Sequence, residues 1–237
     1  MKQLRILGPH EIGKGILIED DAGYLSPHDK LNEAFLKENN SMDHKKPFEF
    51  YAVLQKYNTP NRNGRFYPEQ ILKREADRYK KIIEKGLSTS ELNHPESSLI
   101  DLDRVSHLIT DIWWEGNVLM GKLKLLTSPG FHESGIVSTK GDIAANLMRQ
   151  GVTMGVSSRG VGSLKKVGER NEVQDDFELI CFDLVSSPST PGAYLFPNAD
   201  DRMKYEENLE EEKRIEIEPS SNKSLDLMKK LTDYLGR

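Results

Sequence analysis

The chain has 237 residues, 36% hydrophobic and 30% charged, enough to bury one sizeable core but not two large ones. Its formal net charge of −5 and pI near 5.8 give no basic footprint for nucleic acid. Cys181 is the only cysteine, so no internal disulfide forms, and no Cys/His set has zinc-site spacing. A reducing cytoplasm, no metal and no cofactor are expected. Met1–Leu7 lacks the apolar core of an export signal, and no stretch approaches the roughly 20 apolar residues that span a bilayer, so no membrane partner is expected.

Residues 1–46 read as a weakly organised arm with a hairpin suggested by Leu4–Leu7 and Gly15–Ile18. The core is expected over 47–197. It opens with a strand in which Phe48, Phe50, Ala52 and Leu54 alternate with Glu49, Tyr51, Val53 and Gln55. Asn58–Arg65 is dense in turn formers, and Pro68 then sits in the first turn of a helix over Glu69–Lys85, with Leu72, Ala76, Tyr79 and Ile83 as its stripe and Gly86 as its stop. Arg104–Trp114 alternates again, with Val105, His107, Ile109, Asp111 and Trp113 on one face and Leu108, Ile112 and Trp114 on the other. Glu115-Gly116-Asn117 turns it into a second strand, Val118–Leu126. Ile143, Leu147 and Met148 mark a short helix ending near Gly151. Val152–Ser158 and Phe177–Val185 read as further strands. The stretch 198–237 holds an acidic run at Glu206–Glu212, a linker at Pro219–Asn222 and an amphipathic helix bearing Leu227, Leu231, Tyr234 and Leu235.

Three segments each hold one member of a Ser, His, acid set: Glu91-Leu92-Asn93-His94-Pro95, Gly155-Val156-Ser157-Ser158-Arg159-Gly160 and Cys181-Phe182-Asp183-Leu184-Val185. Serine needs a base to take its proton, and a third group to orient that base, converging in space rather than in sequence. Ser157 is either such a nucleophile, with the chain turning sharply at Arg159 and Gly160 to offer oxyanion amides, or part of an ordinary turn. His94 precedes proline, which favours extended geometry and a ring projecting from a loop; it is a base or a structural histidine. His107 is a satisfied core residue or an alternative base. Asp183 shares an apolar strand face with Phe177, Leu179, Cys181 and Val185, so its carboxylate must bond a histidine or backbone donors, or pair with Arg104 or Arg159.

Four segments together resemble the prohead core proteases of T-even-like tailed phages: Asn61-Arg62-Asn63-Gly64-Arg65-Phe66-Tyr67-Pro68, Glu91–Pro95, Asp111-Ile112-Trp113-Trp114-Glu115-Gly116-Asn117 and Gly155–Ser163. The resemblance spans roughly Phe48–Phe196. It implies an α+β fold with a mainly antiparallel, barrel-like β core flanked by helices, similar to the herpesvirus assemblins. It also implies a serine endopeptidase acting inside the prohead, assembled in the host cytoplasm, on scaffold, core and major capsid proteins; a homo-oligomer is left open. Carried over, His94 is the histidine of the Asn-His-Pro motif and Ser157, directly after apolar Val156, is preferred to Ser158 as nucleophile. Herpesvirus enzymes use a second histidine, but none follows Ser157 here, so Asp183 takes the third place. The same resemblance implies cleavage after Glu with an aliphatic residue two positions earlier, a pattern present at Leu36-Lys37-Glu38 and Leu209-Glu210-Glu211 and pointing to self-processing. The competing readings are a non-catalytic capsid or tube protein on the same fold, and an unrelated hydrolase of small esters.

Overall fold

A computed structural model of the chain describes residues 5–8, 11–19 and 48–198. Within these residues ten strands form two open five-stranded sheets. In the first, β1 (Gly13–Ile18) and β9 (Glu178–Val185) flank the long β7 (Gly155–Val167) antiparallel. The hairpin strand β8 (Arg170–Val173) continues from the far end of β7 and takes β3 (Arg65–Phe66) alongside in parallel. The second runs β10 (Leu195–Phe196), β2 (Glu49–Lys56), β6 (Val118–Leu125), β5 (Val105–Glu115), β4 (Thr89–Glu91), all antiparallel. Neither ladder returns on itself, so the described core is a pair of open sheets rather than a ring of hydrogen-bonded strands. Among the described residues three α-helices complete it: α1 (Glu69–Glu84), α2 (Pro129–Ser134) and α3 (Lys140–Arg149).

The two sheets and three helices share one apolar cluster. Val156, Leu164, Phe177, Leu179, Phe182 and Leu184 from the first sheet meet Phe50, Leu54, Ile109, Ile112, Leu119 and Leu123 from the second. Leu72, Ala76 and Tyr79 of α1 join them, as the stripe predicts. On α3 the buried face is Ala144, Ala145 and Met148; Leu147, expected inside, is 37% exposed. The small alanines let the helix lie close, and a capping box between Thr139 and Asp142 starts it.

β-Bulges account for the other departures from simple alternation. In β5 the extra residue Thr110 swaps the faces, so His107 and Ile109 are buried before it and Ile112 after it. In β9 the extra residue Ile180 does the same. Leu179, Phe182 and Leu184 therefore enter the core, and Asp183 sits with Cys181 and Val185 on the opposite face, apart from Phe177 and Leu179. Gly13–Ile18, assigned to the arm on composition, is strand β1, paired with β7 from Gly13↔Leu164 to Ile18↔Arg159. The chain divides into two units, Met1–Ala199 and Asp200–Arg237. Leu36–Glu38, the acidic run, the linker and the terminal helix lie outside the described residues.

Candidate active site

Strand register places Ser157 directly opposite Asp183 on neighbouring strands. Alternation along β7 sends Val156 into the core and Ser157 to the other face. Beyond β4 the chain runs beside β9, with a parallel bridge Leu92↔Leu184 and the Asn93 amide donating to the Leu184 carbonyl at 2.8 Å. Asn93 then adopts φ 63°, a left-handed turn that asparagine tolerates. That turn swings His94 back over β9. Its Nδ1 lies 2.7 Å from Asp183 Oδ2 and its Nε2 lies 2.6 Å from Ser157 Oγ. Because a carboxylate only accepts, Nδ1 carries the proton, and Nε2 is left to accept from the serine hydroxyl.

All three groups are withdrawn from solvent: Ser157 is 1% exposed, Asp183 is 0% and the His94 side chain is 6%. Burial pushes the Asp183 carboxyl up. The hydrogen bond and charge of His94, the Arg159 guanidinium and the Glu91 amide at 2.9 Å outweigh burial and hold it below its ordinary value. The Glu91 amide is available because a bulge at Ser90/Glu91 interrupts the β4–β5 ladder. Asp183 thus has both kinds of partner considered for it, histidine and arginine; Arg104 instead lies near Glu91, its Nε 3.5 Å from Oε2.

Ser158 faces the other way. Its Oγ accepts from Gln55 Nε2 at 3.0 Å, and Gln55 Oε1 in turn accepts from Thr190 at 2.8 Å. The chain does not turn at Arg159 and Gly160. Both sit inside the ladder between β1 and β9, opposite Ile18 and Leu17 on one side and Cys181 and Leu179 on the other. Their amides face neighbouring strands, and the Arg159 side chain is spent on Asp183, so the expected oxyanion turn is corrected. Gly160 is needed instead for packing, since a Cβ there would meet the Phe177 ring. His107 is a satisfied core histidine: Nε2 donates to the Phe182 carbonyl at 2.9 Å and Nδ1 accepts from Ser106 Oγ at 2.9 Å. Burial pushes its pKa down to about 4.

Sequence reasoning missed Glu19. Fully buried at the end of β1, it accepts from Asn61 at 2.5 Å, Asn63 at 3.0 Å, Arg65 at 3.2 Å, Tyr67 at 2.5 Å and Ser189 at 2.8 Å. Its own amide donates to the Ser158 carbonyl, and its carbonyl accepts from the Ser189 amide. Most of the Asn61–Tyr67 motif is therefore a cradle for one acid beside the strand that carries Ser157. A single Glu in an acidic stretch, Glu19-Asp20-Asp21, carries no signal of burial. Among the described residues no His/Cys/Asp/Glu group is arranged to hold a metal ion.

Comparison with known proteins gives matches at the level of family, sequence and fold. A sequence profile described as prohead core protein serine protease matches residues 13–202. The prohead core protein protease of Enterobacteria phage T4 is 36% identical over 150 residues; the match spans 62% of this chain and 66% of that protein, a little under two thirds of its length. A solved structure of the bacteriophage T4 capsid assembly protease superposes with a TM-score of 0.58 at 24% identity, over 74% of this chain and 99% of the other, a likeness of fold.

Proposed function

Because the chain belongs to the family of prohead core protein serine proteases, we propose that it is a serine endopeptidase of phage prohead maturation with Ser157 as nucleophile, His94 as base and Asp183 as orienting acid. One observation carries this reading: His94 bridges the other two at 2.6 and 2.7 Å. Ser157 Oγ attacks the scissile carbonyl while His94 Nε2 takes its proton; the same nitrogen returns the proton to the leaving amine. Asp183, already ionised, stabilises the imidazolium formed between those steps. Water then attacks the acyl-enzyme by the same route, releasing the second product.

The substrates are the scaffold, core and major capsid proteins, met inside the prohead. Self-processing after Glu38 and Glu211 belongs to the same reading. So does kinship of the two-sheet core with the barrel-like core of the herpesvirus assemblins, with Asp183 where those enzymes have a second histidine. A non-catalytic capsid protein would have no use for a serine, histidine and acid joined in this order.

The test is a pair of variants. Ser157→Ala lowers cleavage of the phage scaffold by at least about a thousandfold and leaves the chain's own termini intact. Ser158→Ala, which loses hydrogen bonds to Gln55 and Tyr67 and none to His94, keeps most of the activity. Undiminished activity in Ser157→Ala sinks the proposal.

A further inference from the structure

Hydrolysis by Ser157, His94 and Asp183 leaves two buried charges around Asp183 without a part. Arg159, on the nucleophile strand, and Glu91, three positions before His94, are both 0% exposed. Removing charges from water is costly unless partners compensate, so a guanidinium and a second carboxylate packed on one acid form a built cluster. Arg159 donates from Nε to Asp183 Oδ2 at 2.8 Å and from Nη2 to Oδ1 at 3.3 Å. Oδ2 is also the atom that faces His94, so guanidinium and imidazole are no farther apart than those two bonds laid end to end. Unopposed, a cation this close works against protonation of the ring during reaction.

Glu91 opposes it. Its Oε2 lies 3.5 Å from Arg159 Nη2 and 3.5 Å from Arg104 Nε, and its Oε1 accepts from the Asp101 amide at 2.5 Å. The other titratable groups facing Asp183 are Cys181 on β9, His107 on β5 and Tyr79 on α1. Burial keeps all three neutral near pH 7, pushing the thiol and phenol up and the imidazole down. The charges acting on the His94–Asp183 pair are therefore Arg159 and Glu91, with Arg104 behind Glu91. Arg159 also reaches the carbonyls of Ser97 at 2.7 Å and Leu99 at 3.3 Å, which fastens the loop after His94 to the same cluster.

We propose that Arg159 and Glu91 are positioning residues for this hydrolysis: Arg159 clamps the Asp183 carboxylate against the His94 ring, and Glu91 neutralises Arg159 so that the clamp leaves the imidazolium its counter-charge. The inference rests on the serine-protease reading of the site.

It is tested on the full chain by the pH dependence of labelling with a fluorophosphonate, which bonds its phosphorus to an activated serine oxygen and releases fluoride. The labelling rate rises with pH as the Ser157 proton becomes easier to remove. Glu91→Gln removes the opposing anion and moves that rise to lower pH by about half a unit or more. Arg159→Gln moves it to higher pH and slows labelling at least about tenfold, and Arg159→Lys recovers part of the rate. Rises that stay at the wild-type pH in both Gln variants, or move the same way, overturn the inference, and an unmoved Glu91→Gln profile does so alone where Arg159→Gln fails to fold. Labelling of Ser157→Ala at the wild-type rate, or no labelling of the wild type at any pH, overturns instead the reading beneath it.

Discussion

His107 makes the fold sensitive to mild acid in a calculable way. Burial holds its imidazole at about 4 against an ordinary 6.5. Between those values the unfolded chain binds a proton that the folded protein refuses, so stability falls as the pH drops from 6.5 towards 4, and below that this residue costs nothing more. The full gap corresponds to about 3 kcal/mol, of which about 2 is expressed by pH 5, where most carboxylates remain ionised. Asp183, held below its ordinary 3.8, loses its own contribution only as the pH falls through that lower range. Urea unfolding at pH 7.5 and pH 5 measures the effect. For a slope of about 2 kcal/mol per molar, the wild-type midpoint falls by about 1 M. His107→Gln keeps a donor but has no proton to gain, so its midpoint moves much less. Parallel changes in the two proteins would refute the argument, whatever their absolute stabilities.

Two further outcomes follow from the geometry. Glu19→Ala strands the buried Arg65 without its counter-charge and destabilises the protein by about 3–5 kcal/mol, read as a lowered urea midpoint. Asn93→Ala forces an ordinary side chain into the left-handed region, costs about 1 kcal/mol and displaces His94, so fluorophosphonate labelling falls; Asn93→Gly fits that backbone and retains labelling, and equal labelling by the two variants contradicts the role given to the turn.

The local periodicities were legible where one rule sufficed. The α1 stripe, the stop at Gly86 and a hairpin turn around Gly116 follow from spacing and glycine alone, although the strand runs one residue further, through Glu115, than the turn Glu115-Gly116-Asn117 implies. Alternation failed in β5 and β9, because a single extra residue, Thr110 or Ile180, reverses every face beyond it and leaves no mark in composition. It failed at Arg159-Gly160 for another reason: the glycine that suggests a turn serves the approach of Phe177 in a continuous strand. For the site, His94, Ser157 and Asp183 could be named from motifs, and the structure brings those three side chains together. Glu19 and Glu91 could not, since what distinguishes them is which distant donors surround them, a property of the folded chain.

The cradle around Glu19 bears on when the site can first assemble. It joins the end of the first strand to Ser189, 170 positions later, and Asp183 reaches back 89 positions to His94. A ribosome must therefore release nearly all of the core before the strand carrying Ser157 has its final setting. Contacts this remote in sequence are also slow to close. A nascent copy thus lacks the assembled Ser157, His94 and Asp183 cluster, which first forms after the core has been made.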